Sequence, residues 1–205
     1  MRRVIFATGN AHKMQEIRAI LRDLPLEVCS LKDIGFSQEI IEDGETFEAN
    51  ALIKARALHK AYPDVLILAD DSGLEIDYLG GAPGVYSARY MGEDTAYEIK
   101  NKAIIEKLSE AVGEQRSARF VCVIAVAYPD GREETLRATM EGRIAEAIAG
   151  EGGFGYDPIL YLPEYGQTSA QLTAEEKNRI SHRGKALKLA EKHLHQWLGN
   201  TKEGE

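Results

Sequence analysis

Phe120-Val-Cys-Val-Ile-Ala-Val-Ala-Tyr128 carries nine residues without a charge and without apolar/polar alternation. A strand with one wet face alternates, so a run this continuous reads as a central strand covered on both faces. It is the longest apolar run in the chain and falls far short of the ~20 residues that a membrane helix needs. Pro129-Asp130-Gly131 then turns the chain, Thr135 to Met140 alternates as the hairpin partner, and another strand is expected from Arg143 to Ala147. Upstream, Val65 to Ala69 forms a short buried strand ending at Asp70-Asp-Ser-Gly73, and Leu74 to Tyr78 alternates as a separate half-exposed strand.

Helical patterns lie among these strands. Arg3 to Ala7 reads as a strand, followed by the turn Thr8-Gly-Asn10 and a helix with Met14, Ile17, Leu21 and Leu24 on one face. Thr46 to Tyr62 carries Phe47, Ala51, Ala55, Leu58 and Tyr62 as one stripe, and Pro63 stops it. Thr95-Ala-Tyr-Glu98 has the spacing of a capping box, as does Thr173-Ala-Glu-Glu176. Ser181 is placed to cap a last helix faced by Leu187, Ala190, Leu194 and Trp197. Ile159 to Leu162 reads as a short strand, and the glycine-rich segments 80–90 and 150–158 as loops. Intermixed helices and strands predict a layered α/β fold. The 205 residues are read as one domain over 1–199 and a flexible tail over 200–205.

Composition narrows the partners. Twenty-five Lys and Arg against 33 Asp and Glu give a net charge of −8, the wrong sign for coating a nucleic-acid polymer. Cys29 and Cys122 lack CxxC spacing and read as reduced core thiols, which suits the cytoplasm. Met1 to Asn10 has too few apolar residues for a signal-peptide core. Neither export nor membrane attachment is expected.

Four segments combine special backbone with charge. In Thr8-Gly-Asn-Ala-His-Lys13 a lysine occupies the first turn of a helix, where the dipole disfavours it. An arriving phosphate would explain that placement, although a solvated lysine on a strand-to-helix connection explains it too. Glu42-Asp-Gly-Glu-Thr-Phe47 precedes Asn50 and Lys54, and Asp70-Asp71 follows a buried strand. Adjacent carboxylates there invite a hard cation such as Mg²⁺, the alternative being an acidic turn at the sheet edge. In Gly152-Gly-Phe-Gly-Tyr-Asp157, Phe154 and Tyr156 offer aromatic faces to a base. His182 and Arg183 again put cations at a helix start, and the recurrence suggests negative charge supplied from outside.

Five ordered segments, Ala7 to Glu16 (ATGNAHKMQE), Glu45 to Ala55, Ala69 to Tyr90, Gly152 to Pro158 and Leu172 to Lys188, resemble the inosine and xanthosine triphosphate pyrophosphatases. The likeness runs from about Val4 to Trp197. It implies a homodimeric α/β protein with a central mixed sheet flanked by helices, in two lobes with an intervening cleft. It further implies Mg²⁺-dependent hydrolysis of ITP, dITP and XTP by water to the nucleoside monophosphate and pyrophosphate. By the family pattern, Thr8, Gly9, Asn10, Ala11, His12 and Lys13 hold the triphosphate. Asp71 is the proton acceptor and, with Glu42, the metal ligand. Lys54 faces the phosphates or the metal carboxylates. Ser72, Phe154, Gly155, Tyr156, Asp157, Lys177, His182 and Arg183 contact the nucleotide, with His182 or Arg183 as the donor that reads the base. This chain has Ala49 where many bacterial relatives carry Glu, and Glu48, turned by about 100° on a helix, is poorly placed to replace it. A Maf-like nucleotide pyrophosphatase and a non-catalytic nucleotide sensor are the rival readings.

Overall fold

The computed structural model describes residues 2–200. Its strands are β1 (Arg2–Phe6), β2 (Leu26–Ser30), β3 (Leu66–Ile76), β4 (Ser117–Ala127), β5 (Glu133–Ile144), β6 (Leu160–Leu162) and β7 (Gln167–Thr168). Its α-helices are α1 (Ala11–Ile20), α2 (Phe47–Ala61), α3 (Tyr97–Lys107), α4 (Ala174–Ile180) and α5 (His182–Asn200). The strands form one sheet in the order β2-β1-β3-β4-β5-β6-β7. It is mixed: β1 runs parallel to β2 and β3, while β6 runs antiparallel to β5 and β7. As the continuous run 120–128 predicts, β4 is the fourth of seven strands, and its residues from Val121 to Ala127 are all buried. The fold is α/β.

The chain divides into two compact units, the first from residues 2–71, 122–138 and 183–200, the second from residues 72–121 and 139–182. In the first, strand alternation sends Val4, Phe6, Leu66 and Leu68 into a core shared with Met14 and Ile17 of α1 and Leu187, Ala190 and Leu194 of α5. Ile5 and Ile67 point to the opposite sheet face and are equally buried. The second unit's core gathers Leu74, Ile76, Ile104, Leu108, Phe120, Met140 and Ile159. Each such side chain contributes about 1.5–3 kcal/mol by leaving water.

Several sequence expectations need correction. The two strands expected on either side of Asp70-Asp71 are one strand of 11 residues, β3. Paired carboxylates look like strand breakers, but Lys13 and Arg183 lie against Asp70 and Lys54 against Asp71, and the ladder continues through them. The strands expected at 135–140 and 143–147 are likewise one, β5. Gly142 lies inside it where an added Cβ would come 2.5 Å from the Tyr161 carbonyl oxygen, so the glycine marks a close backbone approach and not a break. The expected capping box at 95–98 does not form. Ala96 is the N-cap of α3, the Thr95 hydroxyl donates to the Met91 carbonyl at 2.7 Å, and Glu98 pairs with Lys102 at 2.6 Å. The box at 173–176 does form, with Thr173 as N-cap of α4. Edge strand β2 was not expected from the sequence. Of the expected tail, Asn200 closes α5 and 201–205 lie outside the described residues.

Candidate functional site

The first unit concentrates charge around the middle of β3. The turn 8–10 leads from β1 into α1, where the Asn10 side chain accepts the Lys13 backbone N–H at 3.1 Å and the Asn10 N–H donates to Thr8 Oγ1 at 3.2 Å. With Asn10 so capping the helix, Lys13 is set in its first turn. Its Nζ donates to Asp70 Oδ2 at 2.8 Å, and Arg183 Nη2, from the first turn of α5, reaches the same oxygen at 3.4 Å. Arg183 also pairs with Glu16 of α1 and is 1% exposed. Both unfavourably placed cations therefore share an internal counter-charge. The recurrence that suggested negative charge supplied from outside thus has an internal partner as well; Asp70 lies 57 residues from Lys13 and 113 from Arg183, beyond any local pattern.

Successive strand residues point to opposite faces, and the partners divide accordingly. Asp70 shares a face with Leu66 and Leu68, toward α1 and α5; Asp71 shares the other with Ile67 and meets α2. There Lys54 Nζ donates to Glu42 Oε2 at 2.7 Å and lies 3.8 Å from Asp71 Oδ1. Asn50, one turn earlier on α2 and 1% exposed, hydrogen-bonds Asp71 and accepts the Gly44 N–H at 2.8 Å. An added Cβ on Gly44 would stand 2.7 Å from that Asn50 oxygen, so the loop carrying Glu42 lies directly on Asn50. Glu48 is turned away and pairs with Arg137 at 3.1 Å, as its helical offset predicts.

The same surroundings act oppositely on the two aspartates. Burial pushes the Asp70 carboxyl up, but the charges of Lys13, Arg183 and Lys54 outweigh it and hold the pKa well below the usual range. For Asp71 burial prevails over Lys54, Lys13 and the Asn50 hydrogen bond, and its pKa is raised. Burial likewise lowers the Lys54 pKa, but Asp70, Asp71 and Glu42 together raise it above the ordinary value. Three cations, Lys13, Lys54 and Arg183, thus stand against four carboxylates, Glu16, Glu42, Asp70 and Asp71. Among the described residues no group of three His, Cys, Asp or Glu forms a metal cage. Glu42 and Asp71 nevertheless converge on one positive charge with oxygen ligands only, a donor set that fits a hard divalent ion completed by water and phosphate oxygens.

The second unit holds the aromatic and loop residues. Asp157 accepts Lys177 Nζ and the Phe154 N–H on Oδ2, each at 2.8 Å, and the Ser169 hydroxyl on Oδ1 at 2.7 Å. Lys177, from α4, lies 5.1 Å from the centroid of the half-buried Phe154 ring. Gly153 has φ of +71°, and an added Cβ would fall 2.1 Å from Asp157 Oδ2, so only glycine lets the loop close on this carboxylate. Tyr156 is a core residue, 4% exposed: its hydroxyl donates to the Ser87 carbonyl at 2.7 Å and its ring meets Tyr97 edge-on at 5.1 Å. Burial raises its pKa. The structure therefore leaves Phe154, and not Tyr156, as the accessible aromatic face of this loop. His182 is buried against Phe120, ring centroids 4.9 Å apart, and Ser72 is half-buried on β3.

The structure thus brings Lys13, Glu42, Lys54, Asp70, Asp71 and Arg183 together in the first unit, and Phe154, Gly155, Asp157 and Lys177 in the second. Gly9 and Asn10 are exposed on the turn into α1, Ala11 and His12 are exposed in the helix's first turn, and Thr8 is buried at the start of the turn. Sequence reasoning assigned no role to Asn50, Asn101 or Ser169. Asn101 donates to the Gly155 carbonyl at 3.1 Å. An asparagine inside a helix, where its propensity is poor, was the available signal for Asn50 and Asn101; Ser169 offered none.

The Ham1 family model matches residues 4–193. A dITP/XTP pyrophosphatase of Bacillus subtilis is 47% identical over 194 residues, covering 95% of this chain and 98% of its own. One from Clostridium perfringens is 44% identical over 199 residues, with 95% and 98% covered. Among solved structures, a HAM1 protein from Coxiella burnetii superposes with a TM-score of 0.86 at 39% identity, over 96% of this chain and all of the other.

Proposed function

Because the chain belongs to the Ham1 family, we propose that it hydrolyses deaminated purine nucleoside triphosphates, dITP, ITP and XTP, to the nucleoside monophosphate and pyrophosphate. The observation that carries the reading is the charge cluster around Asp70 and Asp71. With three cations and four carboxylates it is one charge negative and would repel a triphosphate; a divalent ion on Glu42 and Asp71 makes it one charge positive. Mg²⁺ suits those oxygens, and when bound it neutralises phosphate oxygens and lowers the cost of charge developing on the leaving group. Lys13 and the start of α1 face the polyphosphate, with Asp70 holding Lys13 in place. Asp71, the carboxylate of raised pKa, takes the proton from the attacking water. The water oxygen bonds to the α-phosphorus, the bond to the α–β bridging oxygen breaks, and pyrophosphate departs with that electron pair. Asn50 keeps Asp71 and the Glu42 loop in register.

Base choice follows from donor geometry. A purine with oxygen at position 6 presents an acceptor there, whereas adenine presents an amino donor. Lys177 carries donors only and is fixed by Asp157 beside Phe154, so it favours the oxo purine; Arg183, tied to Asp70 and Glu16, serves charge balance instead. Sites of this kind discriminate by about 10⁴–10⁵. A non-catalytic sensor would have no use for two metal-site acids, and Glu42 and Asp71 are both present, with Asp70 beside them. Two free buried thiols, Cys29 and Cys122, and a nucleotide substrate accord with the cytoplasm, and among the described residues no helix is long and apolar enough to cross a membrane. The resemblance also favours a homodimer, which sedimentation would test.

The decisive assay is pyrophosphate release, with Mg²⁺, from dITP, XTP, dGTP and ATP. Fast release from dITP and XTP and little from ATP is expected. Orthophosphate as the product, or equal rates on all four, would contradict the reading.

A further inference from the structure

Asp157 is a buried carboxylate with three donors. Lys177 Nζ and the Phe154 N–H both bond to Oδ2, so that oxygen is held from two directions. Rotation about the Cβ–Cγ bond exchanges the two oxygens, and on the other one a single donor stands against it: the Ser169 hydroxyl, at 2.7 Å on Oδ1. Ser169 is itself 1% exposed, in the turn 169–171 that follows β7, and its neighbour Thr168 is fixed by a hydroxyl bond to the Ala149 carbonyl at 2.7 Å. The serine thus follows a residue anchored by its own hydroxyl, and among the described residues the Ser169 hydroxyl is bonded to Asp157 alone. A carboxylate accepts most strongly when both oxygens are satisfied, and leaving one buried oxygen without a donor loosens the whole group.

We propose that Ser169 is a positioning residue for base recognition: by locking the Asp157 carboxylate it fixes the Lys177 ammonium beside the Phe154 ring, and so sets how sharply an oxo purine is told from an amino purine. The inference rests on the reading of Lys177 as the base-facing donor. It concerns a hydroxyl that touches no substrate. Ser169 acts through Asp157, Asp157 through Lys177, and only Lys177 meets the base. Without the hydroxyl, Asp157 can turn, and Lys177 gains freedom to withdraw from an amino group that it would otherwise clash with. The loss should therefore fall on discrimination and on KM more than on kcat, because the charge cluster that performs the chemistry belongs to the other unit.

The test compares Ser169→Thr with Ser169→Val, which match in shape and differ by the hydroxyl, alongside Ser169→Ala. For each, kcat and KM are measured with dITP and with ATP, and a crystal structure is determined. Val and Ala should raise KM for dITP about tenfold, leave kcat within about twofold, and reduce the dITP-to-ATP ratio of kcat/KM about tenfold; Thr should keep the wild-type ratio. In the Val structure Asp157 should be rotated and its 2.8 Å contact with Lys177 lost. An unchanged ratio in Val, with Asp157 and Lys177 where they stand in wild type, would overturn the proposal, even if the protein melted earlier. Should wild type itself fail to prefer dITP, the base-recognition reading falls, and the crystal structures alone then decide whether Ser169 locks Asp157.

Discussion

In the first unit Lys54 faces two carboxylates, Glu42 at 2.7 Å and Asp71 at 3.8 Å, within a cluster whose charges do not cancel. In the second, Lys177 faces one carboxylate, Asp157 at 2.8 Å, which also accepts from a backbone N–H and a serine hydroxyl. Both lysines are buried, yet the balance differs. The Glu42–Lys54–Asp71 set keeps an acid in excess and a carboxylate of raised pKa, so it gains from an added cation and from accepting a proton. The Asp157–Lys177 pair sets one charge against one. Such a pair costs desolvation and contributes little net stability, but it holds a donor at a fixed point. On the proposed reading, one arrangement changes its charge during the reaction and the other keeps its geometry.

The comparison breaks most severely at Asp71. Asp71→Asn should lower turnover by about 10³-fold, within the range typical of a lost general base, while circular dichroism stays native. It should also leave the metal-free protein no less stable at neutral pH, since a buried carboxylate of raised pKa is an unfavourable charge there. Retained turnover would remove Asp71 from the chemistry.

Asp70→Asn should act on stability instead. It removes a counter-charge shared by the half-buried Lys13 and the buried Arg183, leaving Arg183 with Glu16, at a cost of about 3–5 kcal/mol in urea unfolding at neutral pH. The folded-state pKa of Asp70 is depressed, so its contribution is complete above the ordinary carboxylate value of 3.8 and is lost as pH falls through the depressed one. The gap between wild type and variant should close on acidification below that value. A gap independent of pH would show that Asp70 carries no charge in the native state.

The smallest effect belongs to Glu48. Its pair with Arg137 is partly exposed, so Glu48→Ala should cost under about 1 kcal/mol and leave turnover unchanged. A large loss of activity would mean that Glu48 does take the place of the acid absent at position 49.

What could be read from sequence was whatever repeats along the chain. The run 120–128, the stripe of α2 and the Thr173 box were legible because burial and capping impose local patterns. The continuity of β3 through Asp70 and Asp71 was not, because the cations that permit it come from α1, α2 and α5. Lys13 and Arg183 were noticed as cations in the wrong place, and the anomaly was real; its internal partner needed coordinates. Phe154 and Tyr156 look equivalent in Gly152 to Asp157, yet a bond to Ser87 commits Tyr156 to the core. Ser169, a small polar residue next to another, gave no hint of the carboxylate 12 residues away.

The division of labour between the two arrangements is tested most directly by titrating the reaction products, pyrophosphate with Mg²⁺ and inosine monophosphate, into wild type, Lys13→Ala and Lys177→Met in a calorimeter. Lys13→Ala should lose most of its affinity for pyrophosphate and keep that for the monophosphate's base-dependent binding, while Lys177→Met should show the reverse. If either substitution weakened both ligands equally, the two sets would not have the separate roles assigned to them.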